Sequence, residues 1–274
     1  MDERDGFTVS HQRGRTTQHP ATAIAGVLLA ALAVVLATTA GTPVTAAAPT
    51  GATPSADVWQ PRTVLLGRSV QGRGFYAYQV GDPQASETMV ILGQMHGDEH
   101  AGVDITQAIR HGAQVQGINL WVVPTINPDG NAGHVRRNAH GVDLNRNWSW
   151  SWKSSGRSSA YYSGPKPFSE PETRELAAFL RYVKPHWVVS LHQPLYGVDS
   201  NGVKSLTLYR HLIDELGLPA KPLRCEGVCH GTMTGWFNHT QSGAGITVEL
   251  ARTPSQSFLQ RAPTALVTAL LGHY

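Results

Sequence analysis

At 274 residues, 41% hydrophobic and 15% charged, the chain can bury a sizeable core, which excludes a disordered or purely fibrous protein and makes one catalytic-size domain the default. The formal charge is +3, from 22 Lys and Arg against 19 Asp and Glu, and the isoelectric point is near 9.0. The positive groups are dispersed rather than gathered into runs or interleaved with aromatics, a pattern that gives no support to nucleic-acid binding.

The first segment stands outside the fold argument. Ala21 to Ala40 carries no charge, is dominated by Ala, Val and Leu, and follows a polar head containing Arg13 and Arg15. Small residues follow at Thr42-Pro43-Val44-Thr45-Ala46-Ala47-Ala48-Pro49. Residues 1–46 therefore read as a secretory signal peptide cleaved after Ala46. The competing reading is an uncleaved anchor, because roughly 20 apolar residues can span a bilayer. In either case the remaining chain faces outward, secreted or associated with the cell wall. No Cys lies near the segment, which excludes a lipoprotein anchor. Residues 47–58, Ala, Thr, Pro and Ser without periodicity, read as a flexible linker, and residues 59–274 as the catalytic domain.

Within that domain, four short apolar runs read as buried strands: Met89 to Leu92, Asn119 to Val123, Trp187 to Leu191 and Ile246 to Leu250. The clearest helix has Leu176, Phe179, Leu180 and Val183 on one face, with Ser169-x-x-Glu172 as a capping box and Pro185 as its stop. Ala101 to Arg110, Leu206 to Leu216 and Pro263 to Leu271 carry weaker versions of the pattern. Strands buried on both faces and separated by helices predict an α/β fold: a mainly parallel, twisted mixed sheet with helices on both faces. Ligands collect beyond the carboxyl ends of such strands.

The residues at those ends carry the chemistry. The first run leads into His96-Gly97-Asp98-Glu99, and the third ends in Leu191-His192. Two imidazoles and one carboxylate, His96, Glu99 and His192, make a three-ligand zinc set whose fourth position can hold water. Gly97 is read as allowing a tight turn. Glu249 sits in the otherwise apolar fourth run, where a carboxylate is costly to bury without a partner, and a metal-bound water is one such partner. Between them lie the turn Asn127-Pro128-Asp129-Gly130 and a segment from Arg136 to Trp148 with three arginines and three asparagines. Guanidinium groups there suit carboxylate or oxyanion binding. The only cysteines, Cys225 and Cys229, read as a disulfide closing a small loop. A two-Cys metal site would have to recruit His230.

In this order and wording the chain resembles the funnelin-type zinc carboxypeptidases, a family that includes the pancreatic carboxypeptidases and the compact bacterial murein peptide amidases. The resemblance runs from about Gln60 to the C-terminus. It rests on His96-Gly97-Asp98-Glu99, Asn127-Pro128-Asp129-Gly130, Gly141-Val142-Asp143-Leu144-Asn145-Arg146-Asn147, Leu191-His192 and Thr247-Val248-Glu249-Leu250. It implies one zinc ion per chain on His96, Glu99 and His192, with Glu249 as the general base that later protonates the leaving amine. It further implies that Arg136, with Arg137 as runner-up, polarises the scissile carbonyl, that Asn145 and Arg146 hold the substrate's terminal carboxylate, and that Asp143 holds a zinc-binding histidine.

The chain departs from the digestive members, which bring a tyrosine over the substrate from the loop before the last strand. No Tyr lies between His211 and His273, and the corresponding position falls near Gly227. The position that sets side-chain specificity falls near Thr234, which argues against a deep aromatic pocket. His100 is expected to cap the next helix, while His140, His230 and His239 are read as surface or supporting groups. Trp148 to Tyr162 reads as a loop over the site.

The resulting expectation is a secreted zinc metallocarboxypeptidase hydrolysing a C-terminal peptide or amide bond. The short domain, 274 − 46 = 228 residues, suits a peptide or muropeptide substrate, and the resemblance to the compact murein peptide amidases implies γ-D-glutamyl-diaminopimelate as the bond. The alternative is an N-acyl amino acid deacylase of the desuccinylase branch, and a further one an inactive cell-wall binding module.

Overall fold

The computed structural model describes residues 62–223, 227 and 229–274. The signal segment, the linker and Cys225 lie outside the described residues. The chain runs β1 (Arg62–Arg68), β2 (Gly74–Gln79), β3 (Thr88–Leu92), α1 (Ala101–His111), β4 (Asn119–Val123), α2 (Pro128–Gly133), a 3-10 turn (Leu144–Arg146) and α3 (Pro171–Val183). It continues through β5 (Trp187–His192), β6 (Leu195–Asp199), α4 (Leu206–Leu216), β7 (Ala220–Lys221), α5 (Met233–Thr240), β8 (Ala244–Ala251) and α6 (Gln256–Ala269).

All eight strands share one sheet in the order β1-β2-β4-β3-β5-β8-β6-β7. Its centre, β4-β3-β5-β8, is parallel, and these are the four strands that the apolar runs predict. The flanks turn antiparallel, β2 on β4, β1 on β2 and β6 on β8. β1, β2 and β6 lack continuous apolar runs because flanking strands bury less of their surface, so periodicity alone leaves them undetected.

Alternation along the central strands divides the interior into two cores. Ile91, Val122, Val189, Leu191, Ile246, Val248 and Leu250 pack with α1, α4 and α6. Val90, Leu92, Trp121, Val123 and Val188 pack on the other face with Leu176, Phe179 and Leu180 of α3 and Trp236 and Phe237 of α5. Ser190, His192, Thr247 and Glu249 alternate with members of the first core, so they face the α3 and α5 side.

Three local expectations are corrected. Ser169 and Glu172 form no capping box: Glu170 is the N-cap and Pro171 opens α3, while Ser169 Oγ donates to Glu170 Oε1 and Glu172 accepts from Val70 N and Asn138 Nδ2. Proline with its fixed φ suits the first helical position, and that preference moves the start by one residue. The last helix begins seven residues before Pro263, at Gln256, where Ser255 Oγ accepts from Phe258 N, and Pro263 lies inside it. His100 occupies the N-cap of α1 without any side-chain capping bond; its Nε2 lies 2.9 Å from His134 Nδ1 instead. Among the described residues no helix is long and apolar enough to cross a membrane.

Candidate active site

The site lies beyond the carboxyl ends of β3, β5 and β8. The loop after β3 carries His96 and Glu99 and is held from below. Gln94 Nε2 donates to Gly97 O and Glu99 O, both at 3.3 Å, and buried Asn127 donates to Met95 O and Arg136 O, both at 3.2 Å. Asn127 also caps α2 by accepting from Gly130 N, with Pro128 at the first helical position. Gly97 is needed for close approach rather than for an unusual turn: a Cβ there would lie 2.0 Å from the carbonyl carbon of Gly130. The two motifs are therefore packed backbone to backbone.

His96, Glu99 and His192 converge as the only group of three His, Cys, Asp or Glu side chains among the described residues arranged to hold a metal ion. His96 Nδ1 lies 2.7 Å from Glu99 Oε1, His192 Nδ1 2.9 Å from Glu99 Oε2, and the two Nδ1 atoms 3.2 Å apart. All three residues are buried. Two imidazole nitrogens and a carboxylate pointing at one spot form a donor set that attracts a cation, and their number and chemistry fit zinc.

Asp143 is fully buried and organises the surroundings. Its Oδ1 lies 3.0 Å from His96 Nε2 and accepts from Asn145 N, which caps the 3-10 turn. Its Oδ2 accepts from Arg136 Nε and Nη2 at 3.1 and 2.9 Å. Burial alone would discharge His96, but Glu99 and Asp143 outweigh it and push His96 up to about 9. Burial would also raise both acids, yet the imidazoles hold Glu99, and His96 with the arginines holds Asp143, well below the usual carboxylate range.

The 3-10 turn presents Asn145 and Arg146 to the same cavity, a space of about 820 Å³. Asn145 Oδ1 accepts from Met233 N, and its Nδ2 lies 3.5 Å from His192 Nε2. Arg146 is only 5% exposed. Its Nη1 donates to Asn145 O, its Nε has no acceptor, and no carboxylate pairs with it among the described residues. Burial and neighbouring Arg136 lower the Arg146 pKa against the pull of Asp143. Glu249 faces His192 in the β5–β8 register and accepts from Leu195 N at 3.1 Å. Thr234 lines the cavity from α5 with its Oγ1 3.2 Å from Thr247 Oγ1.

Of the sequence-predicted substrate-binding residues, Arg137 stays out of the cavity: its Nη1 donates to Ser159 O and Arg157 O, which turns the guanidinium toward the neighbouring loop. His230 and His239 do line the cavity, the former with a buried Nδ1 that has no hydrogen-bond partner among the described residues, the latter stacked on Trp150 at 4.0 Å. His140 pairs with Glu170 at the surface. Gly227 is not in the cavity wall. Sequence reasoning passed over Tyr161, whose ring lies 5.4 and 5.2 Å from the Arg136 and Arg146 guanidinium carbons, and Asp199. The aromatic loop from Trp148 signals the first in general terms; nothing local signals the second.

Residues 60–195 match the family model of the zinc carboxypeptidases. With the fold and the His-Glu-His centre in place, the chain belongs to that family. Murein peptide amidase A of Escherichia coli strain K12 is 35% identical over 152 residues, which cover 51% of this chain and 62% of the relative. The match thus spans less than two thirds of that relative's length. The Vibrio campbellii protein of the same name is 29% identical over 219 residues, covering 76% and 86%. Among solved structures, murein-tripeptide amidase MpaA from Escherichia coli O157 superposes with a TM-score of 0.65 at 27% identity, covering 80% of this chain and 95% of that one. Glu249 lies beyond the family-model match, and its placement rests on the β5–β8 register.

Proposed function

We propose that this chain is a zinc-dependent hydrolase that releases the C-terminal residue of a peptide, with murein peptides as substrate and the γ-D-glutamyl-diaminopimelate bond as target. The observation that carries the reading is Arg146: a buried guanidinium without a carboxylate partner, in the wall of the cavity that holds the metal-binding triad. An unpaired buried cation calls for an anion, and a substrate's terminal carboxylate would supply it bidentately. Binding that carboxylate restricts cleavage to the last bond.

Zinc held by His96, Glu99 and His192 would polarise the scissile carbonyl and acidify the attacking water. Asp143 fixes Arg136 through Nε and Nη2, and Nη1 points toward the metal centre, donating to Glu99 Oε1 at 3.5 Å, from where it would steady the developing oxyanion. Glu249, on the same sheet face as His192, takes a proton from the attacking water and passes it to the leaving amine. The likeness to murein peptide amidases supports the substrate class. The apolar segment from Ala21 to Ala40 supports export to the compartment where murein lies.

Mass spectrometry of products from muropeptides, a C-terminal peptide library and N-acyl amino acids tests this. Release of terminal diaminopimelate is the expected result; cleavage of the N-acyl compounds alone would replace the reading with a deacylase. Glu249→Gln should keep its zinc and lose about 10²- to 10⁴-fold in turnover. A fully active variant would remove Glu249 from the mechanism.

A further inference from the structure

The wall of the cavity away from the metal centre holds a carboxylate with no role in the reaction so far described. Val198 of β6 belongs to the core under α1, α4 and α6, so its neighbour Asp199 faces the opposite side, the side of Thr247 and Glu249. The antiparallel β6–β8 register pairs Gly197 with Glu249 and Val198 with Val248. One step further sets Asp199 beside Thr247, whose hydroxyl meets Thr234. Cross-strand neighbours stand about 5 Å apart at Cβ. Asp199 therefore lines the cavity beside Thr234, two residues along the strands from the general base.

Its oxygens are unequal. Oδ1 accepts from Asn201 N at 2.9 Å and Leu223 N at 3.2 Å, which shapes the turn after β6. Oδ2 has no hydrogen-bond or ion-pair partner among the described residues. The two lysines nearby in the fold are committed elsewhere. Lys221, its register partner on β7, sends its ammonium across Gly197 to Leu195 O, and Lys204 donates to Asn238 O and Gln241 O. Burial raises the Asp199 pKa, as expected for a carboxyl group lacking a counter-charge.

Resting on the exopeptidase reading, we propose that Asp199 is the specificity residue of this site: its unpartnered oxygen receives an ammonium group on the side chain of the residue being released. The site then selects terminal residues with a side-chain amine, diaminopimelate or lysine, over neutral ones of the same length. A cation there gains both charge attraction and a hydrogen bond, whereas a neutral side chain covers the half-buried carboxylate and leaves it without a counter-charge.

The test uses the zinc-loaded enzyme and a series L-Ala-γ-D-Glu-X in which X is diaminopimelate, lysine, Nε-acetyl-lysine or norleucine. The expected result is a kcat/KM at least about tenfold higher for the two amine-bearing residues, a ratio that Asp199→Asn reduces to near unity. Asparagine keeps an acceptor for the two backbone N–H groups, and an unchanged unfolding midpoint would show that the turn survives. Inhibition of the wild-type enzyme by free lysine but not by norleucine is a readout that needs no variant. Turnover of the series without preference for an amine, or a preference that survives in Asp199→Asn, overturns the assignment and leaves the exopeptidase reading standing. Turnover of none of the series nor of any library peptide sinks the exopeptidase reading, and this assignment with it.

Discussion

Asp143 receives three kinds of donor on two oxygens: a metal-binding imidazole, a guanidinium and a backbone N–H. One fully buried carboxylate thus sets the ring of His96, the fork of Arg136 and the turn that presents Arg146. Asp143→Asn should weaken zinc binding by about 10- to 100-fold, measured by competition with a fluorescent chelator. Affinity equal to wild type would mean that the His96 ring is oriented by other contacts. The proton on His96 competes with zinc for the same nitrogen. Because Glu99 and Asp143 push His96 up to about 9, apparent zinc affinity should weaken by roughly tenfold for each pH unit below that value. Glu99 adds no second proton over this range, since its pKa is held low. An affinity that stays flat over the two units below that value would contradict the argument.

The short helix α2 links the metal loop to the sheet edge. Asp129 in its first turn accepts from Ser69 Oγ at 2.8 Å, Gln71 N at 2.9 Å and Arg73 Nη1 at 2.7 Å, binding α2 to the β1–β2 turn. Burial opposes its charge, but these donors prevail and lower its pKa. A lowered carboxylate pKa contributes stability above the ordinary value of about 4 and loses it as pH falls through the lowered one. Asp129→Ala should therefore cost about 1–3 kcal/mol in urea unfolding at neutral pH, with the difference from wild type shrinking in acid. A cost that is the same at both pH values would show that the charge is not responsible. Gly97→Ala should cost at least about 2 kcal/mol and weaken zinc binding, because the new methyl meets the Gly130 backbone and must push the His96 loop off α2. Stability and zinc affinity both at wild-type levels would show that the loop has room to move.

At the scale of the whole molecule, the metal centre joins the loop after β3 to the end of β5, segments more than ninety residues apart. A ligand that binds only the folded chain stabilises it, by about 2.7 kcal/mol when its free concentration is a hundred times Kd. Removing zinc with a chelator should lower the unfolding midpoint and abolish hydrolysis, and zinc should restore both where magnesium does not, because two imidazoles suit a borderline metal better than a hard one. A midpoint indifferent to chelation would mean that the three side chains hold no metal in the folded protein.

The four central strands and the three metal-binding side chains are legible in the sequence because both depend on local chemistry. A strand buried on two faces must be apolar throughout, and zinc accepts few residue types. The outer strands, the N-cap of α3 and the exclusion of Arg137 were not legible, since each depends on what packs against it. The sequence by itself determined the class of fold and the metal chemistry. Only the tertiary structure decided which charges are paired, Arg136 with Asp143, and which lack an ionic partner among the described residues, the buried guanidinium of Arg146 and one oxygen of half-buried Asp199. Pairing is a matter of distance between segments remote in the chain, and residue types alone do not carry it.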